Sequence, residues 1–183
     1  MNLENLYFDR NQLKSCGENV IIGKTVRIRH PERVIIGDNV IIDDFCYISG
    51  QVTIGDYVHI GNTCTVSASQ DSINFGPFST LAPGAKIFAG SSNYLSCALD
   101  LPTIPEQFTY DVIRGAVNLE RFVLVGANTV VSPGVNIPEG CAFGANMVVK
   151  KSMLLKAWHL VFDNSGMTRQ RQGMDELLEK VSK

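Results

Sequence analysis

The sequence predicts an all-β fold: a solenoid of short parallel strands that advances in steps of six residues. Three observations predict it. From Leu119 to Val149 every sixth residue is apolar without a slip: Leu119, Val125, Val131, Ile137, Phe143 and Val149. Four residues after an anchor stands a second small or medium side chain: Val123, Thr129, Val135, Cys141 and Met147. The slot after an anchor holds Gly126, Ser132, Pro138 or Gly144, types that turn a backbone. A period of six matches neither a helix, at about 3.6, nor a simple strand, at about 2. It matches stacked coils in which each flat face sends one apolar side chain to the axis.

The same register runs upstream. It starts near Ile22-Gly23, passes Ile28, is interrupted by His30-Pro31-Glu32, and resumes at Ile36, Ile42, Ile48, Ile54, Ile60 and Val66. The partner slots read Val40, Cys46, Val52, Val58 and Cys64, with Asp38-Asn39, Asp56-Tyr57 and Asn62-Thr63 at corners. A slip of three residues falls between Ser67 and Asn74, and the period returns at Phe75, Leu81 and Ile87.

Three segments follow. Residues 1–16 form a lead-in, with Asn2 to Arg10 read as a short helix or an extended stretch. Residues 17–152 form the solenoid. Inside it, residues 89–116 break the pattern and read as an arm that leaves the coil and returns at Val117; long insertions of this kind are often functional. Residues 153–183 form a polar tail. In it Leu177, Leu178 and Val181 share helical spacing with early acids and a late Lys180, a short helix that caps or docks on the coils.

Bulk properties narrow the function. The 183 residues suffice for one domain with a core. A net charge of −2 carries no nucleic-acid footprint. No apolar run reaches membrane-spanning length, and no basic stretch followed by a hydrophobic run opens the chain, so a cytoplasmic protein is expected. Of five cysteines, Cys46, Cys64 and Cys141 occupy inward slots and read as small buried hydrophobes. Cys16 and Cys97 fall outside the repeat, and no C-x-x-C pair suggests zinc.

The segment Val125 to Lys150, VGANTVVSPGVNIPEGCAFGANMVVK, resembles the last coils of left-handed β-helix acyltransferases. Asp43-Asp44-Phe45-Cys46, Tyr57-Val58-His59-Ile60-Gly61 and Leu101-Pro102-Thr103-Ile104-Pro105 resemble a narrower branch, bacterial acetyltransferases of galactosides or nucleotide-linked amino sugars. The resemblance implies a left-handed coil, where generic crossover rules give the opposite hand. It also implies an acyl-CoA co-substrate, homotrimers with sites between subunits, and a role in surface polysaccharide biosynthesis.

Acyl transfer needs a thioester held beside an amine or hydroxyl, an acceptor for a proton, and support for the oxyanion. His59, sixth in its hexad, points outward and is the candidate base. His30 and His159 are lesser candidates, and the spacing of the three does not match the zinc triad of β-helical carbonic anhydrases. Gly126-Ala127 and Gly144-Ala145 leave backbone N–H groups open at corners. By resemblance the pantetheine arm runs alongside them, although glycine at a corner also serves the turn alone. Lys150, Lys151 and Arg169 suit the CoA phosphates, although the family tail G-x-P-A-K-x-I-x-x-R is replaced by Asp163 to Arg169.

In the arm, Ser91, Ser92, Asn93 and Tyr94 can hydrogen-bond a sugar. Ser92 and Asn93 stand where related arms carry two acids, so the carboxylate that would orient an acceptor amine is missing. A neutral amine needs less base assistance than a hydroxyl, which favours an amine. Two readings stand: a sugar N- or O-acyltransferase using acyl-CoA and no metal, or a β-helix that has lost catalysis and binds or supports.

Overall fold

The structure is a computed structural model that describes residues 5–96, 103–108 and 111–182. Three flat faces wind around one axis for about seven turns. The first face carries Ser15–Cys16, Val34–Ile36, the ends of Tyr47–Ile54 and Thr65–Phe75, Val117–Leu119 and Asn136–Ile137, all parallel. The second stacks Ile21–Ile22, Ile41–Ile42, His59–Ile60, Thr80–Leu81, Leu124–Val125, Ala142–Phe143 and His159–Val161. The third stacks Arg27–Arg29, the starts of the two long strands, Lys86–Phe88, Val130–Val131 and Val148–Val149.

The periodicity is a packing pattern. Strand side chains alternate, so one residue of each short strand faces the axis. On the second face Ile22, Ile42, Ile60, Leu81, Val125, Phe143 and Val161 lie in register and are all buried. Burying each such side chain contributes about 1.5–3 kcal/mol. Every partner slot named from the sequence is buried as well, Cys46, Cys64 and Cys141 included. Burial raises the Cys141 thiol to about 11, which keeps it an inert hydrophobe. Thr129 is the polar exception: its hydroxyl donates to the Gly144 carbonyl (2.7 Å) and accepts from the Met147 N–H (3.1 Å).

An uninterrupted turn takes 18 residues, as from Ile42 to Ile60 or Val125 to Phe143. Ile22 to Ile42 takes 20, because a 3-10 turn at Pro31–Arg33 fills the corner. Ile60 to Leu81 takes 21, because where the long strands round the corner residues 68–71 of Thr65–Phe75 stand opposite the single Gly50 of Tyr47–Ile54, which adds three residues. Leu81 to Val125 takes 44, because the arm is inserted between the third face and the first. The arm opens as a hairpin in which Gly90–Ser92 pairs antiparallel with Val112–Arg114. Cys97, Leu101 and Pro102 lie outside the described residues.

Spacing alone predicts five to six coils beginning near Ile22; the structure has more at both ends. Cys16 belongs to the repeat, paired with Ile36. It keeps the register, six residues before Ile22, with Gly17 after it and buried Val20 in the partner slot. The repeat also continues past Val149 through half-buried Leu155 to buried Val161. The tail therefore completes a further turn and folds back, with Thr168–Gln170 antiparallel to His159–Val161. The lead-in has a 3-10 turn at Arg10–Gln12, and Asn5 ties it down through the carbonyls of Gly23 (3.0 Å) and Val26 (2.8 Å). The terminal helix spans Met174–Val181 with no buried residue.

At the corner before the second face one residue per turn is left-handed: Asn19, Asn39, Tyr57, Phe78, Phe122, Gly140 and Trp158. Non-glycine residues there cost about 1–2 kcal/mol each. The corner residues offset that cost by stacking. Tyr57 lies parallel to Phe78 with centroids 4.8 Å apart, Phe78 stacks on Phe122 at 5.1 Å, and Asn19 donates to Asn39.

Candidate active site

His59 is placed by its strand. Ile60 faces the axis, so His59 faces solvent on the second face. Its Nε2 lies 2.9 Å from Oδ2 of Asp43, one turn back, with both side chains about half exposed (48% and 45%). When Nε2 carries the proton it donates to Asp43, and Nδ1 is left as the acceptor. Asp43 was legible only as part of a motif, since nothing local shows that a residue 16 positions earlier meets His59. Its neighbour Asp44 has another role. It accepts from the N–H (2.9 Å) and hydroxyl (2.7 Å) of Thr25, and the hydroxyl bond is the leading cause that holds its pKa below the usual 3.8.

The arm departs from expectation. Ser91 and Ser92 lie in the hairpin strand opposite Ile113 and Val112. Asn93 caps the turn that follows, accepting from the Leu95 N–H (3.1 Å), and Tyr94 is 89% exposed. Asn93 Nδ2 also donates to Oδ2 of Asp111 at 2.9 Å. The arm therefore does carry a carboxylate beside Asn93, delivered by the returning strand. Asp111 is 18 residues from Asn93 in sequence, and only the hairpin pairing brings it there.

Gly126-Ala127 and Gly144-Ala145 stack at the corner after the second face. The Gly126 N–H donates to Phe143 (3.0 Å) and the Gly144 N–H to Val161 (2.8 Å), so neither is open. The N–H groups of Ala127 and Ala145 make no hydrogen bond among the described residues. Those two donors, stacked one turn apart, are what this corner offers a ligand.

The basic residues divide. Lys150 lines an open cleft of about 460 Å³ at the end of the solenoid, with Met153, Leu155, Asn164, Ser165 and Thr168. Lys151 turns to lie along Gly134 at another corner. Arg169 is exposed on the tail strand, opposite Leu160. The Asp163 carboxylate builds the turn beside the cleft by accepting from the Ser165 hydroxyl (2.6 Å) and N–H (2.9 Å) and the Met167 N–H (3.2 Å). Asn164 accepts from the Val148 N–H (2.8 Å) and pins that turn to the last coil.

Residues 33–68 match the family described as bacterial transferase hexapeptide (six repeats). Over 153 residues, 79% of this chain and 79% of the relative, the chain is 31% identical to a dTDP-4-amino-4,6-dideoxy-D-glucose acyltransferase of Escherichia coli. The chain belongs to the hexapeptide-repeat acyltransferases. Two solved structures agree with that membership. A single-site variant of AntD, an N-acyltransferase from Bacillus cereus, in complex with dTDP-4-amino-4,6-dideoxyglucose and coenzyme A, is 33% identical, with a TM-score of 0.85 and 97% of each chain covered. AntD in complex with dTDP and 3-hydroxybutyryl-CoA is 31% identical with a TM-score of 0.85, covering 98% of this chain and 100% of that one.

In this hexapeptide-repeat acyltransferase the two corner glycines have different causes. A Cβ on Gly126 would sit 2.5 Å from the Gly144 backbone, so coil stacking alone demands glycine there. A Cβ on Gly144 would meet nothing closer than Phe162 Cα at 3.5 Å, an ordinary contact. Stacking does not require the glycine at 144; its small size keeps that corner clear.

The acyltransferase carries His59 and its arm on opposite sides. The chain runs from first face to second to third, and the arm is inserted where the third returns to the first. That corner of the three-sided coil lies opposite the second face, which holds His59.

Proposed function

We propose that this protein transfers an acyl group from acyl-CoA to the amino group of a nucleotide-linked amino sugar. The observation that carries this reading is the likeness over nearly the whole chain to AntD, whose structure holds both a dTDP-amino sugar and coenzyme A. The acceptor nitrogen attacks the thioester carbonyl, and the new C–N bond replaces the C–S bond. His59 Nδ1 takes the proton lost by nitrogen, with Asp43 holding the imidazole through Nε2. The sulfur leaves as coenzyme A thiol once protonated.

The Ala127 and Ala145 N–H groups hydrogen-bond the pantetheine, beside the space cleared by Gly144. Lys150 and Arg169 face the phosphates at the solenoid end, and Lys151, turned along Gly134, adds its charge from outside that cleft. Ser91, Ser92, Asn93 and Tyr94 contact the sugar, and Asp111 accepts from the amine that is to be acylated. Because His59 and the arm lie on opposite sides of one chain, a site that uses both draws them from two copies, as in a homotrimer. The amino sugar product suits surface polysaccharide assembly.

Thiol release is measured with acetyl-CoA and 3-hydroxybutyryl-CoA against a panel of dTDP- and UDP-linked amino sugars and their hydroxyl counterparts. The expected result is release only with amino sugars. Release with hydroxyl sugars alone reassigns the enzyme to O-acylation. No release, with no heat on titrating coenzyme A, returns it to a binding module.

A further inference from the structure

The tail strand that carries Thr168 and Arg169 is anchored by one side chain the chemistry above does not use. Arg171 donates through Nη1 to the carbonyls of Gly140 (2.6 Å) and Phe122 (3.3 Å), two successive turns of the solenoid. Its guanidinium lies over the Trp158 ring at 5.7 Å, and its N–H donates to the Trp158 carbonyl (2.7 Å). Trp158 is itself placed by an absence. Gly140 has no side chain, and a Cβ there would fall 2.3 Å from Trp158 Cδ2. The indole lies across that gap and reaches Phe122, with centroids 5.7 Å apart. At the other end of the same hairpin Asp163 and Asn164 fix the turn. Between these two anchors Thr168, Arg169 and Gln170 are all exposed and, among the described residues, joined to the solenoid by one antiparallel ladder.

We infer that Arg171, seated on Trp158 over Gly140, is a positioning residue for the donor cleft. It sets the tail strand against the last coil so that Thr168 stays on the cleft wall and Arg169 stays in reach of the donor phosphates. The inference rests on the proposed donor site at this end of the solenoid. The guanidinium suits the place because the two N–H bonds of Nη1 reach the two carbonyls while the flat group lies over the Trp158 ring, and it stays charged throughout.

The test is steady-state kinetics and coenzyme A titration on the full chain with Arg171→Ala, Arg171→Lys and Gly140→Ala. Arg171→Ala raises the KM for acyl-CoA and the Kd for coenzyme A about five- to tenfold, while kcat and the KM for the amino sugar stay within about twofold. Arg171→Lys recovers part of the loss. Gly140→Ala, which displaces Trp158 and leaves Arg171 in the chain, reproduces it and decides the question if Arg171→Ala does not fold. Equal changes in both KM values and kcat would mean a general structural role and overturn the inference. So would unchanged donor constants in a folded Arg171→Ala chain beside an Arg169→Glu chain whose donor constants have risen. Unchanged donor constants in Arg169→Glu as well would overturn the donor reading along with it.

Discussion

His59 and Asp43 form an exposed pair across successive turns, Nε2 to Oδ2 at 2.9 Å. A carboxylate on one imidazole nitrogen fixes which nitrogen is left to accept a proton. His59→Ala therefore lowers kcat by about a hundredfold or more, the usual scale of a lost general base. Asp43→Asn lowers it by about tenfold with both KM values kept. The double variant is no slower than His59→Ala, since Asp43 acts through the histidine. Additive losses in kcat would show two independent roles.

The arm separates acceptor from donor. Asp111→Asn removes the charge from the exposed Asn93–Asp111 hydrogen bond, and Asn93→Ala removes its donor. Each raises the KM for the amino sugar about tenfold and leaves the KM for acyl-CoA alone. Initial-rate measurements with either substrate varied check this directly.

Gly126→Ala and Gly144→Ala have opposite consequences. The first forces a methyl group against the Gly144 backbone, and thermal unfolding shows a loss of about 1–3 kcal/mol. The second changes stability by about 0.5 kcal/mol or less and raises the KM for acyl-CoA by narrowing the corner beside Ala145. A stable Gly126→Ala chain would contradict the stacking geometry.

Acid weakens the fold through Asp44 and Asp163. Both carboxyls lie below their ordinary 3.8, first through the hydroxyls of Thr25 and Ser165 respectively. A carboxyl depressed in the folded chain adds stability above its unfolded value, and that stability is lost as pH falls through the lower folded value. Melting temperature therefore drops below about pH 4, and the drop is shallower in Asp44→Asn. An unchanged slope in that variant would remove Asp44 from the account.

The six-step spacing made the core legible because each inward slot is set by local chain direction and volume. All six anchors from Leu119 to Val149 are buried as that spacing requires. Both end turns escaped it. Cys16, Leu155 and Val161 keep the six-residue register, but each stands among polar neighbours that thin the apolar pattern: Lys14, Ser15 and Glu18 around the first, Lys150, Lys151, Ser152 and Lys156 around the second, His159 and Asp163 around the third. Partnerships between turns escaped it for another reason. Asp43 meets His59 across 16 positions and Asp111 meets Asn93 across 18, and no local pattern encodes either. Tyr57 was legible as a corner beside Asp56, but the stacking of Tyr57, Phe78, Phe122 and Trp158 one turn apart was not, since no local pattern shows which corners carry aromatic rings that meet.

The most direct measurement mixes two disabled chains. His59→Ala is co-expressed with Asn93→Ala/Asp111→Ala, and thiol release from acyl-CoA is followed with a dTDP-linked amino sugar held below its KM. A site built from the His59 side of one copy and the arm of another predicts that mixed oligomers regain a clear share of the native rate. A mixture no faster than its two components, each assayed alone, would contradict it.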